Sequence, residues 1–319
     1  MPLSPHFPFQ LFCKQLTDIF KKAKTNSNPA MFLYKNKARM QLFMAESILR
    51  VSNKLFEDKE IIEWHATIKK LEDYLGEIDH YLVLSADFSK LKTVQMPQLK
   101  YISDKLEKAV DKLNKKLIKH DFYLADLKKM NEGFKINFND KKLILKLQEE
   151  IRSELKESCD FFDQYPKAFT DMEEQVHELR RKLRWISIYG ESFQGLIVLK
   201  ETKEKYPWEK EFITKNEVIN PFNKLPVKKN LVSHITFNKK AFYALSYVIE
   251  NIGKIKDKGL SLEALEKSVR KTSHEKNGES VKVATKQLNA NYTHDSLLKE
   301  AHALLKSYFK KYKLHEALA

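Results

Sequence analysis

Apolar residues recur at three- and four-residue steps through most of this chain. That spacing lays one face of an α-helix against a core. The clearest run is Leu99, Ile102, Leu106, Val110, Leu113 and Leu117; another is Ile68, Leu71, Leu75, Ile78 and Leu82. The pattern predicts helices over Phe9 to Lys24, Ala30 to Leu55, Lys59 to Leu84, from about Leu99 to Lys119, and over Lys141 to Glu157. Breaks fall at Thr25-Asn-Ser-Asn-Pro29, near Val94-Gln-Met-Pro97 and over the polar Asn131 to Asp140. A further helix opens at Thr170-Asp-Met-Glu173, the spacing of a capping box. Tyr206 to Asn230 carries three prolines and little periodicity. Helices return over Phe237 to Lys256 and Leu262 to Lys271, and Thr272 to Asn291 reads as a polar loop. Asp295 or Ser296 caps a last helix. The expected total is roughly eight to ten helices.

Composition agrees. The chain has only seven Gly and nine Pro in 319 residues, and sheets joined by tight turns need more of both. The class is all-α. Hydrophobic residues at 42% suffice for a real core. Cys13 and Cys159 stand far apart without metal-ligand spacing, as reduced cytosolic thiols do. No signal-peptide pattern opens the chain, and its strongest apolar run, Gly195 to Leu199, is too short to span a bilayer. The expectation is a cytoplasmic protein with no membrane partner.

Charge is more informative. Lys and Arg number 58 against 43 Asp and Glu, a formal net charge of +15, which is a statement about partners rather than fold. The most pointed concentration is His177, Arg180, Arg181 and Arg184, at i, i+3, i+4 and i+7 of one helix. Such a stripe repels itself and gains only if something negative lies against it. Arginine's fixed fork of donors matches phosphate and carboxylate oxygens. Other basic candidates are Lys35 and Arg39, His65 and Lys69, and the stripe from Lys105 to Lys119 that includes Lys112. On the last helix, His302, Lys306, Lys310 and Lys313 are neighboured by Tyr308, Phe309 and Tyr312, which read as core residues.

One internal echo bears on organisation. Leu75-Gly76-Glu77-Ile78 resembles Ile252-Gly253-Lys254-Ile255, each beside an acidic residue, Glu72 or Glu250. Mid-helix glycine costs about 1 kcal/mol against alanine, so a close helix–helix approach is expected at both places. With these residues the chain resembles the CHAD family, all-helical domains that bind inorganic polyphosphate. In that family each half carries a His-x-x-Arg helix followed by further basic residues, and a later Leu-Gly-x-hydrophobic-(Arg/Asn)-Asp helix. His177, Arg180, Arg181 and Arg184 match the first pattern in the second half. In the first half Asn36-Lys-Ala-Arg39 keeps only the arginine, and Phe43 and Met44 stand where basic residues belong. Leu75-Gly-Glu-Ile-Asp79 keeps Leu-Gly and Asp; Ile252-Gly-Lys-Ile-Lys-Asp257 has its Asp displaced by one position. The spacing between the paired motifs doubles in the second half, which places an insertion at Tyr206 to Asn230.

The resemblance implies two pseudo-symmetric helical bundles of about four helices each, around a basic cavity, with halves at 1–165 and 166–319. It implies polyphosphate binding through His177, Arg180, Arg181, Arg184, Arg39, Lys35, Lys69, His65, Lys112 and Lys119, with no cofactor and no metal. The sequence has no P-loop, no HExxH, no GxSxG and no CxxC, so the expected protein is a binder and not an enzyme. Nucleic acid, or an acidic protein partner for a helical scaffold, would draw on the same charge.

Overall fold

A computed structural model describes residues 8–228, 231, 233–273 and 277–318. Among them the chain is all-α, 75% helical. The helices are α1 (Pro8–Lys24), α2 (Pro29–Lys35), α3 (Ala38–Phe56), α4 (Lys59–Phe88), α5 (Met96–Lys119), α6 (Leu124–Gly133), α7 (Lys141–Asp163) and α8 (Glu178–Ser192). A π-helical turn, Met172–His177, runs directly into α8. Beyond it come short strand β1 (Ile197–Lys200), α9 (Glu209–Phe212), α10 (Lys215–Ile219), strand β2 (Ile235–Asn238), α11 (Lys239–Ser273), α12 (Asn277–Gln287) and α13 (His294–Lys306). The two strands pair in parallel, Ile197 opposite Ile235.

The apolar stripes read from the sequence all turn inward. Leu75, Ile78, Leu113, Leu117, Leu183, Ile252 and Leu305 are buried in one continuous core that runs from Phe9 to Leu318. A smaller cluster gathers Leu84 and Phe88 of α4, Ile102 of α5, Leu262 and Leu265 of α11, and Ala284 of α12. Tyr308 and Phe309 are fully enclosed, so these rings serve the core. His302 is enclosed too, its Nε2 2.8 Å from the Tyr165 carbonyl and its ring against Phe162 and Phe169.

Several boundaries differ from the sequence reading; the last helix, for one, is capped by Thr293 rather than by Asp295 or Ser296. The expected helix from Ala30 to Leu55 is two helices, because the chain turns at Asn36–Lys37 with Lys37 in the left-handed region (φ 57°). That turn puts Arg39 in the first turn of α3. The helix expected to open with Thr170 as cap opens one residue later. Asp171 caps it through Glu174 N at 2.6 Å, and Gln175 reaches back to Thr170. The two helices expected after Phe237 are one, α11. Its polar Asp257-Lys258 turn lies on the surface, while Ile255, Leu262, Leu265 and Val269 keep the core stripe unbroken. The expected loop from Thr272 to Asn291 contains α12, whose inward positions, Ser280 and Ala284, are too small to register as a hydrophobic stripe; residues 274–276 of that stretch lie outside the described residues.

Candidate anion site at two arginine–glycine junctions

The two glycines of the sequence echo do the same thing in the structure. Each leaves room for an arginine from a neighbouring helix. A Cβ on Gly76 of α4 would stand 2.8 Å from Nη2 of Arg39, which reaches over from α3. A Cβ on Gly253 of α11 would stand 2.9 Å from Nε of Arg180, which reaches over from α8. Both distances are below any real contact. The sequence predicts a close helix–helix approach at these glycines; what comes close instead is an arginine side chain, not a helix backbone.

Around Arg39 the junction is closed by carboxylates. Nε donates to Glu72 Oε1 at 2.7 Å and Nη1 to Asp79 Oδ2 at 2.6 Å. Asp79 also accepts from the Tyr34 hydroxyl at 3.0 Å. Glu72 is buried, and burial pushes its carboxyl upward against the opposing pull of Arg39. Glu72 lies four residues before Gly76 and Asp79 three after it, so both reach the guanidinium from one helical turn on either side.

Around Arg180 the same registers hold different residues. Four before Gly253 stands Ile249, whose carbonyl oxygen accepts from Arg180 Nε at 3.1 Å. Three after it stands Lys256, its ammonium 2.7 Å from the neighbouring Asp257. Among the described residues no carboxylate pairs with Arg180, and its terminal nitrogens have no hydrogen-bond partner. Burial lowers its pKa, with Asp257 opposing and Arg39 adding to the effect.

One turn further along each arginine's helix the contrast repeats. Arg39 is followed at four residues by Phe43, and Arg180 by Arg184. Arg184 lies over the Phe43 ring, 4.3 Å from its centroid, with Arg39 at 5.3 Å from the same ring. Phe43 in turn meets Trp185 edge-on at 6.0 Å. No carboxylate among the described residues pairs with Arg184. Its burial, then the nearness of Arg180 and Arg39, pulls its guanidinium down to about 10, against the longer-range help of Glu72 and Asp79. Three arginines from two helices thus meet in one partly buried seam, and only Arg39 is neutralised directly.

The remaining expected site residues lie around this seam or away from it. His177 precedes α8 and its Nδ1 sits 2.8 Å from Glu173, a contact that draws the Glu173 carboxyl down. Arg181, one residue past Arg180, faces solvent and pairs with Glu178 at 2.5 Å. The i to i+7 stripe is about 100° wide on a helix, so one edge enters the seam and the other leaves it. Lys35 is exposed at the end of α2. Lys69 is held by Asp73 at 2.9 Å, and His65 Nε2 lies 3.8 Å from buried Glu46. Lys112 is exposed, pairs with Glu77 at 2.8 Å and overlies Tyr74; Lys119 ends α5 in solvent.

Two residues were not legible as site residues. Lys256 and His80 approach each other where α4 meets α11, along with Asp79, Asp257 and Glu173, and burial lowers the His80 imidazole. The only signal for them is their register relative to the two glycines. A shallow depression of about 550 Å³ beside α1 and α6, lined by Lys14, Lys21 and Lys128 among others, contains none of the three arginines. Among the described residues there is no group of three or more His, Cys, Asp or Glu able to hold a metal ion. No described helix is long and apolar enough to cross a membrane. No family model, curated protein or solved structure matches this chain.

Proposed function

We propose that this protein binds a polyanion, inorganic polyphosphate or a chemically similar polymer, at the seam where Arg180 and Arg184 meet Arg39. One observation carries the reading: two partly buried arginines with no carboxylate partner among the described residues, pressed toward a third cation. An unpaired charge withdrawn from water is expensive, and arginines in contact repel. A bound phosphate chain would reverse both costs, supplying the oxygens that Arg180 and Arg184 lack. His177 and Arg181, at the seam's outer edge, and the net charge of +15 would draw such a chain in. The reading keeps the resemblance to CHAD domains, with two helical bundles, as its family proposal. It describes a binder and not a catalyst, working in the cytoplasm, where the buried and unpaired Cys13 and Cys159 would stay reduced.

The test is a salt titration of binding to long-chain polyphosphate, with single-stranded and duplex DNA as controls. The expected result is a preference for polyphosphate, with log affinity falling linearly in log salt as counterions are released. Replacing Arg180 and Arg184 together by Gln should abolish the preference while far-ultraviolet circular dichroism stays unchanged. Equal, weak binding to all three polymers, unaltered by the double substitution, would refute the site. Preference for single-stranded DNA would move the protein to the nucleic-acid binders.

A further inference from the structure

The two junctions share a geometry and differ in charge, and the difference predicts which of them takes a ligand. At corresponding registers the first has Arg39, Phe43, Glu72 and Asp79; the second has Arg180, Arg184, Ile249 and Lys256. In the first, two carboxylates from separate residues occupy different edges of the guanidinium, at 2.7 and 2.6 Å. In the second, one register has become apolar and the other cationic, while an extra arginine stands where the first has a phenylalanine.

We propose that the second junction is the only anion-binding one, that Glu72 and Asp79 fill in the first junction the place a ligand's oxyanions take in the second, and that the ligand unit recognised is a pair of linked oxyanion groups, a diphosphate unit. This rests on the polyanion reading and narrows it. Arg39 then belongs to the scaffold and shapes the field without donating to the ligand. Arg180 and Arg184 donate, and at the register where Asp79 would have opposed binding stands Lys256, its charge already shared with the neighbouring Asp257 at 2.7 Å. Two linked groups are specified because the internal stand-ins are two: Glu72 and Asp79 reach Arg39 separately, as a single bidentate carboxylate would not. A lone carboxylate or orthophosphate would answer only half of that arrangement.

The experiment transfers the difference between the junctions. Pyrophosphate and orthophosphate are titrated calorimetrically at low salt into the full chain and three variants. In Ile249→Glu with Lys256→Asp, the second junction acquires the first's carboxylates. Lys256→Asp alone is the companion in case the buried edge of Ile249 does not tolerate Glu. In Glu72→Gln with Asp79→Asn, the first junction loses them. The wild type should bind one equivalent of pyrophosphate, at least tenfold more tightly than orthophosphate. The transferred carboxylates should weaken pyrophosphate more than tenfold, and Lys256→Asp alone about threefold to tenfold. Opening the first junction should add a second equivalent or tighten the first.

The outcomes distinguish the assignment to the second junction from polyanion binding as such. Wild type that binds polyphosphate, with the carboxylate-transfer variants folded and equally tight, overturns the assignment to the second junction and leaves the polyanion reading standing. No gain on opening the first junction overturns the stand-in role of Glu72 and Asp79. Equal affinity for pyrophosphate and orthophosphate overturns the paired-oxyanion unit. Wild type that binds neither pyrophosphate nor polyphosphate overturns the inference and the reading together.

Discussion

Arg39 and Arg180 reach over glycines in the same way, yet one is bound on two edges by carboxylates and the other by a single backbone carbonyl. The first arrangement is a structural ion-pair cluster that links α2, α3 and α4. The second is a cation withdrawn from water without direct compensation, next to another in the same condition. Within one fold, then, the same local device gives a neutralised ion-pair cluster in one place and uncompensated cations in another. Which of the two results depends on the residues one helical turn either side of the glycine.

Removing each arginine should give the largest difference between the two junctions. Arg39→Met strands buried Glu72 and its partner Asp79. Stranding one member of a fully buried pair costs about 3–5 kcal/mol. Arg39 is 30% exposed and Asp79 36%, so a loss of about 2–3 kcal/mol is expected after allowing for solvent screening. Arg180→Met strands only a helix carbonyl and should cost under about 1 kcal/mol. Urea denaturation of both variants measures the gap; equal losses would erase the distinction.

Adding a methyl to each glycine comes next. Gly76→Ala drives a Cβ into a guanidinium pinned by two carboxylates, and a net loss of about 1–2 kcal/mol is expected, overpacking less the gain in helix propensity. Arg180 is pinned only once, so it can shift, and Gly253→Ala should be near neutral in stability. Its effect should show in anion affinity instead.

The third test sharpens the second junction. Arg184→Met keeps the packing on Phe43 and removes a charge whose guanidinium burial holds down at about 10. Replacing such a charge by an apolar side chain is expected to raise stability by about 1 kcal/mol, while polyphosphate affinity falls more than tenfold. A variant at once more stable and less able to bind is the signature of a site; loss of both would make Arg184 a packing residue.

The smallest effect is in pH. His80 lies among Asp79, Lys256, Asp257 and Glu173, and its pKa is lowered from 6.5 chiefly by burial. The folded protein therefore holds fewer protons there than the unfolded chain. His80's contribution to stability is complete above pH 6.5 and is lost as pH falls from there through the depressed folded value. The urea midpoint should decline more between pH 7 and 5 for wild type than for His80→Gln.

Much of this was readable in the chain. The stripe Leu99 to Leu117 fixed the face α5 buries, and scarce glycine and proline excluded a sheet-built fold. The two glycines in matching contexts announced a close approach. Helix α12 was missed because Ser280 and Ala284 carry little apolar area, and the turn at Asn36–Lys37 was missed because nothing there is a strong breaker. In the site, Arg180 and Arg184 stood out by spacing. Phe43 was seen as a missing cation, though it is the ring both Arg184 and Arg39 lie over.

Periodicity and composition act locally along the chain, and they are enough to establish a helical protein, the positions of its apolar faces and its excess of positive charge. Which cations meet and which are neutralised follows instead from how the helices pack. Arg39 finds Glu72 and Asp79 on another helix, and Arg184 finds Phe43 from the other half of the chain. Electrostatic compensation depends on distance in space, and distances between helices are set by how the core packs, which no single segment of the sequence encodes.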